Sequence, residues 1–240
     1  MNASKYKEEF NKLDPSKRLE YINNLENIEE SLSLLEYLND KEQEKFLIDN
    51  NKKLEPLFLV ENDDFRVHLC KCLKGSLYGR CLVDARVLPN IQNEKKIVEA
   101  LKILGSDCYI DTNVALKIKD LKLREDVISV FDSAFQKGKL ILSFEKDEDI
   151  IRLVNEHIKV NDRNVVVAMM SKELSYSYLK QLPNDKIRFD VIKKLFSIKK
   201  NKHKLEDFLD TMDTDKSKLK LMFEVITNPQ DRISMLKFND

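Results

Sequence analysis

Apolar residues recur every three or four positions in nearly every window of this chain. The clearest windows are Leu19, Ile22, Leu25 and Ile28; Ile97, Leu101 and Leu104; Ile150, Val154 and Ile158; Leu205, Phe208, Leu209 and Met212; and Leu219, Phe223 and Ile226. A spacing close to 3.6 residues places such side chains on one face of an α-helix. The pattern therefore predicts an all-α protein.

Capping signals divide this pattern into short helices. In Asp14-Pro15 and Asn228-Pro229, a capping side chain precedes a proline, the arrangement favoured at a helix start. Gly75, Gly105 and Gly138 follow apolar-periodic runs, where a residue able to adopt positive φ ends a helix. We expect segments of about 10 to 15 residues with short connections, so that successive helices form antiparallel pairs. These pairs are predicted to stack as an irregular solenoid-like array.

A weak internal repeat supports the stacked arrangement. Asn39-Asp40, Asn62-Asp63, Asn161-Asp162 and Asn184-Asp185 each open an apolar-periodic segment. The first two lie 23 residues apart, as do the last two, which is the scale on which helical hairpins repeat. A simpler interpretation stays open, because any helical protein rich in Asn and Asp places them at N-caps.

The segments Asn62-Asp63-Asp64-Phe65-Arg66 and Asn184-Asp185-Lys186-Ile187-Arg188 resemble the HEAT and armadillo class of helical repeats. In that class an acidic or amide cap begins the second helix of each pair, and a basic residue follows within a turn. The resemblance covers most of residues 14–238, although the units are shorter than the usual HEAT length. It implies a binding module built from helix pairs.

Composition sets the limits of the molecule. The chain has 240 residues, of which 35% are charged, and its 42 basic residues equal its 42 acidic ones. We expect one helical-repeat-like domain over 1–240, with a weak subdivision near 139–146. Lys139–Phe144 could be a short strand, but no nearby segment is expected to pair with it. The longest apolar run, Val165–Met170, is too short to cross a membrane, and the N-terminus lacks a signal-peptide core. Four cysteines in helical pattern read as reduced thiols. We expect a cytoplasmic protein, of the producing cell or of a host.

One group of possible metal ligands stands out. Histidine and cysteine are common zinc ligands, and a structural site requires four of them. His68 and Cys72 share a helix face, whereas Cys70 lies about 200° around the helix from His68. The candidate set is therefore His68, Cys72 and Cys81, one ligand short, and we expect neither a metal nor another cofactor. Cys72 also fits an apolar stripe, as a buried thiol would.

Catalytic and nucleotide-binding signatures are lacking. A Ser or Cys nucleophile would need a histidine base. His157 lies at the edge of an apolar face and should be partly buried, while His203 lies among lysines and should be solvated. No glycine-rich phosphate loop occurs. No catalytic residues are assigned.

One segment, Lys186–Lys204, is strongly basic. It carries eight basic side chains against one acidic side chain, a net charge of +7. The basic residues are Lys186, Arg188, Lys193, Lys194, Lys199, Lys200, Lys202 and Lys204. Such a cluster could contact nucleic acid or another anionic partner. The acidic residues of 205–215 could instead neutralise it within the fold.

Three functions remain open from the sequence. A stacked helical array favours protein–protein interaction, as an adaptor or regulatory module without catalysis. A nucleic-acid-binding helical-repeat protein, or a HEAT-like DNA glycosylase using 186–204, is the first alternative. A pathogen or phage effector that binds a host protein is the second. No membrane partner is expected, and the oligomeric state stays open.

Overall fold

All regular secondary structure is helical in the part of the chain that the computed structural model describes. This part comprises residues 3–106, 110–198, 203–226, 228 and 231, and it contains no strand. The all-α prediction is confirmed. Lys139–Phe144 does not form the strand that the sequence left open, because the helix Ala134–Ile141 runs through the first half of that stretch. No helix among these residues has the length and apolarity needed to traverse a lipid bilayer.

The chain divides into two compact units, Met1–Asp132 and Ser133–Asp240. The first unit contains, within the described residues, α1 (Ala3–Lys12), α2 (Pro15–Asn23), α3 (Ile28–Ser33), α4 (Asp40–Asp49), α5 (Asn51–Phe58), α6 (Asp63–Leu73), α7 (Leu77–Leu82), α8 (Glu94–Leu104), α9 (Thr112–Leu116) and α10 (Leu121–Glu125). The second contains α11 (Ala134–Ile141), α12 (Asp147–His157), α13 (Arg163–Val167), α14 (Lys172–Lys180), α15 (Asp185–Phe196), α16 (Glu206–Leu209) and α17 (Asp215–Val225). Short 3₁₀ turns at 35–37, 88–90, 128–130 and 160–162 and a π-helical turn at 83–87 complete the connections.

The boundary between the units lies shortly before the subdivision expected at 139–146. A single domain over 1–240 stays a prediction. The described helices have four to twelve residues, shorter on average than the sequence pattern suggested. Extra caps account for this, because Ser76 and Asp111 each accept a backbone N–H and begin a further helix.

The structure contains the predicted helix start at Asp14-Pro15 and the predicted helix stop at Gly105. Asp14 accepts the backbone N–H of Ser16 at 2.9 Å, with Pro15 at the first helical position. Gly105 ends α8 with a φ of 66°, a conformation that glycine adopts without strain. Gly138 does not end a helix but lies inside α11. The other proline start, Asn228-Pro229, extends outside the described residues.

Gly138 instead allows α11 and α13 to approach closely. A Cβ atom at this position would lie 3.1 Å from Cγ2 of Val166. In the second unit α11 contacts α13, α13 contacts α15, and α15 contacts α17. Each contributes fully buried side chains to this succession: Leu140, Val166, Ile192 and Leu221. The stacking of alternate helices is compatible with the array that the sequence predicts.

A recurring contact joins the start of one helix to the start of another. Asp63, the first residue of α6, accepts the backbone N–H of Asn93, the N-cap of α8, at 2.7 Å. Glu94, the first residue of α8, accepts the backbone N–H of Asp120, the N-cap of α10, at 3.1 Å. These carboxylates satisfy donors in the capping loops. We call such a contact a carboxylate–cap contact.

The second unit contains the same device. Asp185, the first residue of α15, accepts the backbone N–H groups of Asp213 at 2.7 Å and of Thr214, the N-cap of α17, at 3.2 Å. The contacts span 26 to 30 residues in sequence. Asn39, Asn62 and Asn184 are N-caps as the repeat predicts. Asn161 instead lies within a 3₁₀ turn.

Candidate functional site: the groove between α15 and α17

The basic segment Lys186–Lys204 is only partly a surface charge cluster. Lys186, Lys193, Lys194 and Lys204 are exposed. Lys199, Lys200 and Lys202 lie outside the described residues. Arg188 is buried, with 6% of its side chain exposed.

Arg188 belongs to the interior and does not add to an exposed patch. Its guanidinium donates to the carbonyl oxygens of Leu179 at 3.1 Å and of Leu182 at 2.8 Å. It also lies 3.0 Å from a carboxylate oxygen of Asp185 and 2.6 Å from one of Asp213. A buried guanidinium needs this degree of hydrogen bonding. Arg188 therefore supports the end of α14 and the start of α17, and Asp213 provides part of the neutralisation expected from 205–215.

The exposed lysines of α15 border an open groove beside α17. The α15–α17 groove has a volume of about 530 Å³ and is lined by Asp190, Lys193, Lys194, Phe196, Ser197, Glu224 and Val225. Residues 190, 193, 194 and 197 share one face of α15 because they follow the helical spacing of three, four and seven. Phe196 and Val225 add half-buried apolar surface. The groove thus combines an apolar area with both signs of charge.

Glu224 lies within the electrostatic influence of lysines from both helices. The ammonium group of Lys193 on α15 donates to Oε2 of Glu224 on α17. Lys220 lies one turn before Glu224, so their side chains share a face of α17. The hydrogen bond from Lys193 keeps the pKa of Glu224 below its ordinary value against desolvation, and the charges of Lys193 and Lys220 act in the same direction. Lys193 and Lys220 therefore form a positively charged environment around the carboxylate of Glu224.

The ammonium groups of Lys193 and Lys220 both lie over the aromatic ring of Phe189. The Nζ atom of Lys220 lies 4.8 Å from the ring centroid of Phe189, and that of Lys193 lies 6.0 Å from it. A cation is attracted to the face of an aromatic ring at such distances. Phe189 itself is buried, as the apolar stripe of α15 predicts. The two ammonium groups are therefore brought near one carboxylate by a feature of the core.

Lys194, the next lysine of the groove, is held from another side. Its Nζ atom lies 3.2 Å from both the backbone and side-chain oxygens of Asn161. Asn161 belongs to the 3₁₀ turn that precedes α13. Both of these oxygens are neutral, so neither offsets the positive charge of Lys194. Of the two lysines among the described residues that line the groove, Lys193 contacts a carboxylate, whereas Lys194 contacts neutral oxygens.

Sequence reasoning found the lysines of α15 but missed Lys220 and Glu224. Lys193 and Glu224 are 31 residues apart, and α17 carries an ordinary mixture of charged and apolar residues. The only signal was the distance from Asn184 to Thr214, which resembles the distance from Asn62 to Asn93. That register would have placed α17 beside α15.

His203 is a second departure from the sequence interpretation. The prediction that His203 is solvated was wrong. The residue is only 9% exposed, and the centroid of its ring lies 5.2 Å from that of Phe208. Its Nε2 atom is 3.1 Å from the carbonyl oxygen of Val167 and 3.5 Å from Oγ of Ser175. His157 is half-buried, as predicted.

The Ser175–His203 pair does not have the geometry of a nucleophile and base. A carbonyl oxygen only accepts, so Nε2 of His203 must donate to Val167 and has no lone pair for the serine proton. Ser175 donates to the carbonyl oxygen of Ser171 at 2.7 Å and is fully buried. The pair fastens the segment before α16 to α13 and α14. The small cavity beside it, lined by Lys172, His203, Lys204 and Asp207, contains an internal ion pair of 2.6 Å between Lys172 and Asp207.

The possible metal ligands are not brought together. Nε2 of His68 lies 3.4 Å from Sγ of Cys72, as their spacing predicts. Burial raises the pKa of the Cys72 thiol to about 12, whereas a metal ligand must be a thiolate. Cys81 is exposed on the following helix. Across the described residues, no three His, Cys, Asp or Glu side chains are placed to hold one metal ion.

Comparison of this chain with known protein families, with curated proteins and with solved structures gave no match.

Proposed function

We propose that the chain is a protein-binding module without catalytic activity and that a partner occupies the α15–α17 groove. One observation carries the proposal: the groove joins the apolar side chains of Phe196 and Val225 to the exposed ammonium groups of Lys193 and Lys194. Protein interfaces combine an apolar centre with a polar, charged rim. Among the described residues that line this groove, none is a histidine or a cysteine that could act on a substrate.

We also propose that the helices form an irregular repeat array of the HEAT or armadillo kind. The carboxylate–cap contacts support this, since they join α6 to α8, α8 to α10 and α15 to α17 in the same manner. The succession of α11, α13, α15 and α17 supports it as well. Arrays of this architecture commonly bind partners along an extended face. Because many functions share one architecture, the proposed binding site is the α15–α17 groove and not the array as a whole.

Nucleic acid is the less favoured ligand. Within the basic segment, Arg188 is buried and Lys193 is paired with Glu224. Asp190 and Glu224 line the same groove, where they would repel phosphates. HEAT-like DNA glycosylases share a strongly basic concave face that carries tryptophans. This chain has a net charge of zero and no tryptophan.

Reversing the two adjacent groove lysines tests the proposal. The double variant Lys193→Glu/Lys194→Glu should lose a partner that co-purifies with the unaltered chain from the cells that produce it. The matched control is Lys52→Glu/Lys53→Glu, a pair of exposed neighbouring lysines on α5, and it should keep the partner. Equal retention by both double variants would place the partner elsewhere and reject the groove.

A filter-binding assay with duplex DNA at low salt separates the two ligand classes. We expect no retention of DNA by the unaltered chain. Retention that the Lys193→Glu/Lys194→Glu variant abolishes and the α5 control preserves would replace the protein-binding proposal with nucleic-acid binding.

A further inference from the structure

The two units contain the same order of helices. In the first unit α2 and α3 are followed by the 3₁₀ turn at 35–37 and by α4, α5 and α6. In the second unit α11 and α12 are followed by the 3₁₀ turn at 160–162 and by α13, α14 and α15. After one shorter helix, α7 or α16, each series continues with a helix of eleven residues, α8 or α17. This order indicates that α11–α17 repeat α2–α8.

The repeat has a fixed register. Three residues at the start of α6 have the same identities as the residues 122 positions later at the start of α15: an N-cap asparagine, the aspartate of the carboxylate–cap contact and a buried arginine. The buried positions of α15 are 188, 189, 191, 192 and 195, and each lies 122 residues after a buried position of α6. The N-caps of α8 and α17, Asn93 and Thr214, are 121 residues apart. Individual positions of the two units can therefore be compared.

One face of α17 departs from the repeat. Positions 100 and 101 of α8 are buried, and so are the equivalent positions 221 and 222 of α17. Val98 of α8 is only 7% exposed, whereas its equivalent Leu219 is 41% exposed. One turn later, Phe223 is 54% exposed in the position that Lys102 has on α8. A face that is covered on α8 is therefore exposed on α17, where it is also more apolar.

The segment that follows α8 identifies what would cover this face. Both α9 and α10 contact α8, and Val114 and Ala115 of α9 are buried, at 4% and 0% exposure. The residues 121 positions after this pair are Met235 and Leu236. They belong to the segment 229–240, which follows α17 and, apart from residue 231, lies outside the described residues. The register thus places an apolar pair of this segment where α9 has its own.

We infer that the segment 229–240 is the occupant of the exposed face of α17 and covers Leu219 and Phe223 in the manner in which α9 covers α8. Contiguous apolar surface is unfavourable in water, and the last repeat of a helical array requires a cap over its outer face. The inference goes beyond the proposed function, because Leu219 and Phe223 do not belong to the lining of the α15–α17 groove. It assigns the chain's own C-terminal segment to a surface that an external partner would otherwise find.

A tryptophan introduced on this face reports whether it is covered, because the chain has no tryptophan of its own. In the full chain, Leu219→Trp should give blue-shifted fluorescence that acrylamide quenches weakly. Leu121→Trp is the matched control, since Leu121 on α10 is 42% exposed and Leu219 is 41% exposed. Quenching of the control should be severalfold stronger, because no covering segment is inferred there.

Changes within the segment identify the covering residues. Adding Met235→Asp/Leu236→Asp to Leu219→Trp should raise quenching to the level of the control, because carboxylates do not replace apolar contacts. Adding Ser234→Asp should leave quenching unchanged, since Ser234 has the position of the exposed Asn113 of α9. Circular dichroism checks that each variant is folded. With Leu219 retained, hydrogen exchange of the α17 amides is a second measurement, and Met235→Asp/Leu236→Asp but not Ser234→Asp should accelerate it.

Three results would overturn the inference. Equal quenching of Leu219→Trp and Leu121→Trp in the full chain would show that the face of α17 is open. Weak quenching of Leu219→Trp that persists after Met235→Asp/Leu236→Asp, with unchanged hydrogen exchange of α17, would assign the face to another occupant. Weak quenching that is lost on dilution of the protein would identify that occupant as a second copy of the chain.

Discussion

The carboxylate of Asp63, at the start of α6, accepts the backbone N–H of Asn93, at the start of α8, at a distance of 2.7 Å. It also accepts the N–H of Gln92 at 3.0 Å and lies 3.1 Å from the guanidinium of Arg66. One mostly buried side chain therefore joins two helices that are 30 residues apart.

Asp63→Asn should destabilise the protein by about 2 kcal/mol, because hydrogen bonds to a charged group contribute roughly 1.5–3 kcal/mol and the amide keeps only part of them. Asp64→Asn is the matched control, since the Asp64 side chain is 78% exposed and forms an ion pair with Lys96 at the surface. That control should change stability by less than about 1 kcal/mol. Urea unfolding followed by circular dichroism measures both. Equal effects would mean that the backbone contacts of Asp63 contribute nothing special.

The same carboxylates predict how stability depends on pH. Burial acts to raise the pKa of Asp63 and of Asp185, but the hydrogen bonds that they accept from Asn93, Gln92, Asp213 and Thr214 hold each pKa below the ordinary value of 3.8. A lowered pKa in the folded state means that the unfolded chain takes up protons first as pH falls. The stabilisation is thus complete above pH 3.8 and disappears below it.

We therefore expect the double variant Asp63→Asn/Asp185→Asn to be less stable than the unaltered chain at neutral pH. The difference should shrink as the pH falls through and below 3.8. Urea midpoints measured across this range test the prediction. A difference independent of pH would show that the two carboxylates have ordinary pKa values in the folded state.

Arg188→Met should destabilise the second unit by about 3 kcal/mol. The substitution leaves the carbonyls of Leu179 and Leu182 and the carboxylate of Asp185 without the guanidinium that they contact, and breaking such a buried pair costs about 3–5 kcal/mol. Lys186→Met, two positions earlier on the exposed side of α15, should have almost no effect. Denaturant unfolding compares them. Similar midpoints for both variants would mean that Arg188 belongs to an exposed basic patch, as the sequence suggests, and not to the interior.

Gly138→Ala should destabilise the protein by about 1 kcal/mol even though alanine favours helices by about that amount at an exposed site. The added Cβ would lie 3.1 Å from Cγ2 of Val166 and 3.4 Å from Sδ of Met169. Val166→Ala removes the closest atom, so the double variant should be more stable than the sum of the two single effects predicts. Additive free energies of unfolding would contradict the close approach of α11 and α13.

Alkylation should distinguish two cysteines. Burial raises the pKa of the Cys72 thiol to about 12, so almost no reactive thiolate forms near neutral pH. Cys81 is exposed on α7. Brief treatment of the folded chain with iodoacetamide should label Cys81 and spare Cys72, and treatment in denaturant should label both. Peptide mass spectrometry reads the result, and rapid labelling of Cys72 in the folded chain would show that α6 opens.

Much of the fold could be predicted from local signals, because they act within one turn of helix. Apolar spacing predicted helices, and the caps at Asp14, Asn62 and Asn184 begin helices as expected. Gly138 failed because glycine signals two different things, a positive φ or a close approach. The sequence alone does not distinguish them, and only the neighbouring Val166 shows which applies.

The groove was harder to predict because its parts come from distant positions. The positive charge of Lys193 and Lys194 is evident from the sequence. The pairing of Lys193 with Glu224 is not, since it depends on the register of α17 against α15. His203 failed for the opposite reason. Its lysine neighbours indicate solvent, yet the ring lies against Phe208 and the carbonyl of Val167.

The carboxylate–cap contact also bears on how such a chain can change over evolutionary time. Asp63 and Asp185 recognise backbone N–H groups, so these contacts do not themselves depend on the side chains at the receiving positions 92, 93, 213 and 214, except that proline would remove the donor. Helices can therefore keep their relative register while neighbouring residues are substituted. An arrangement of helices that is held by such contacts can persist while the side chains at the receiving positions change.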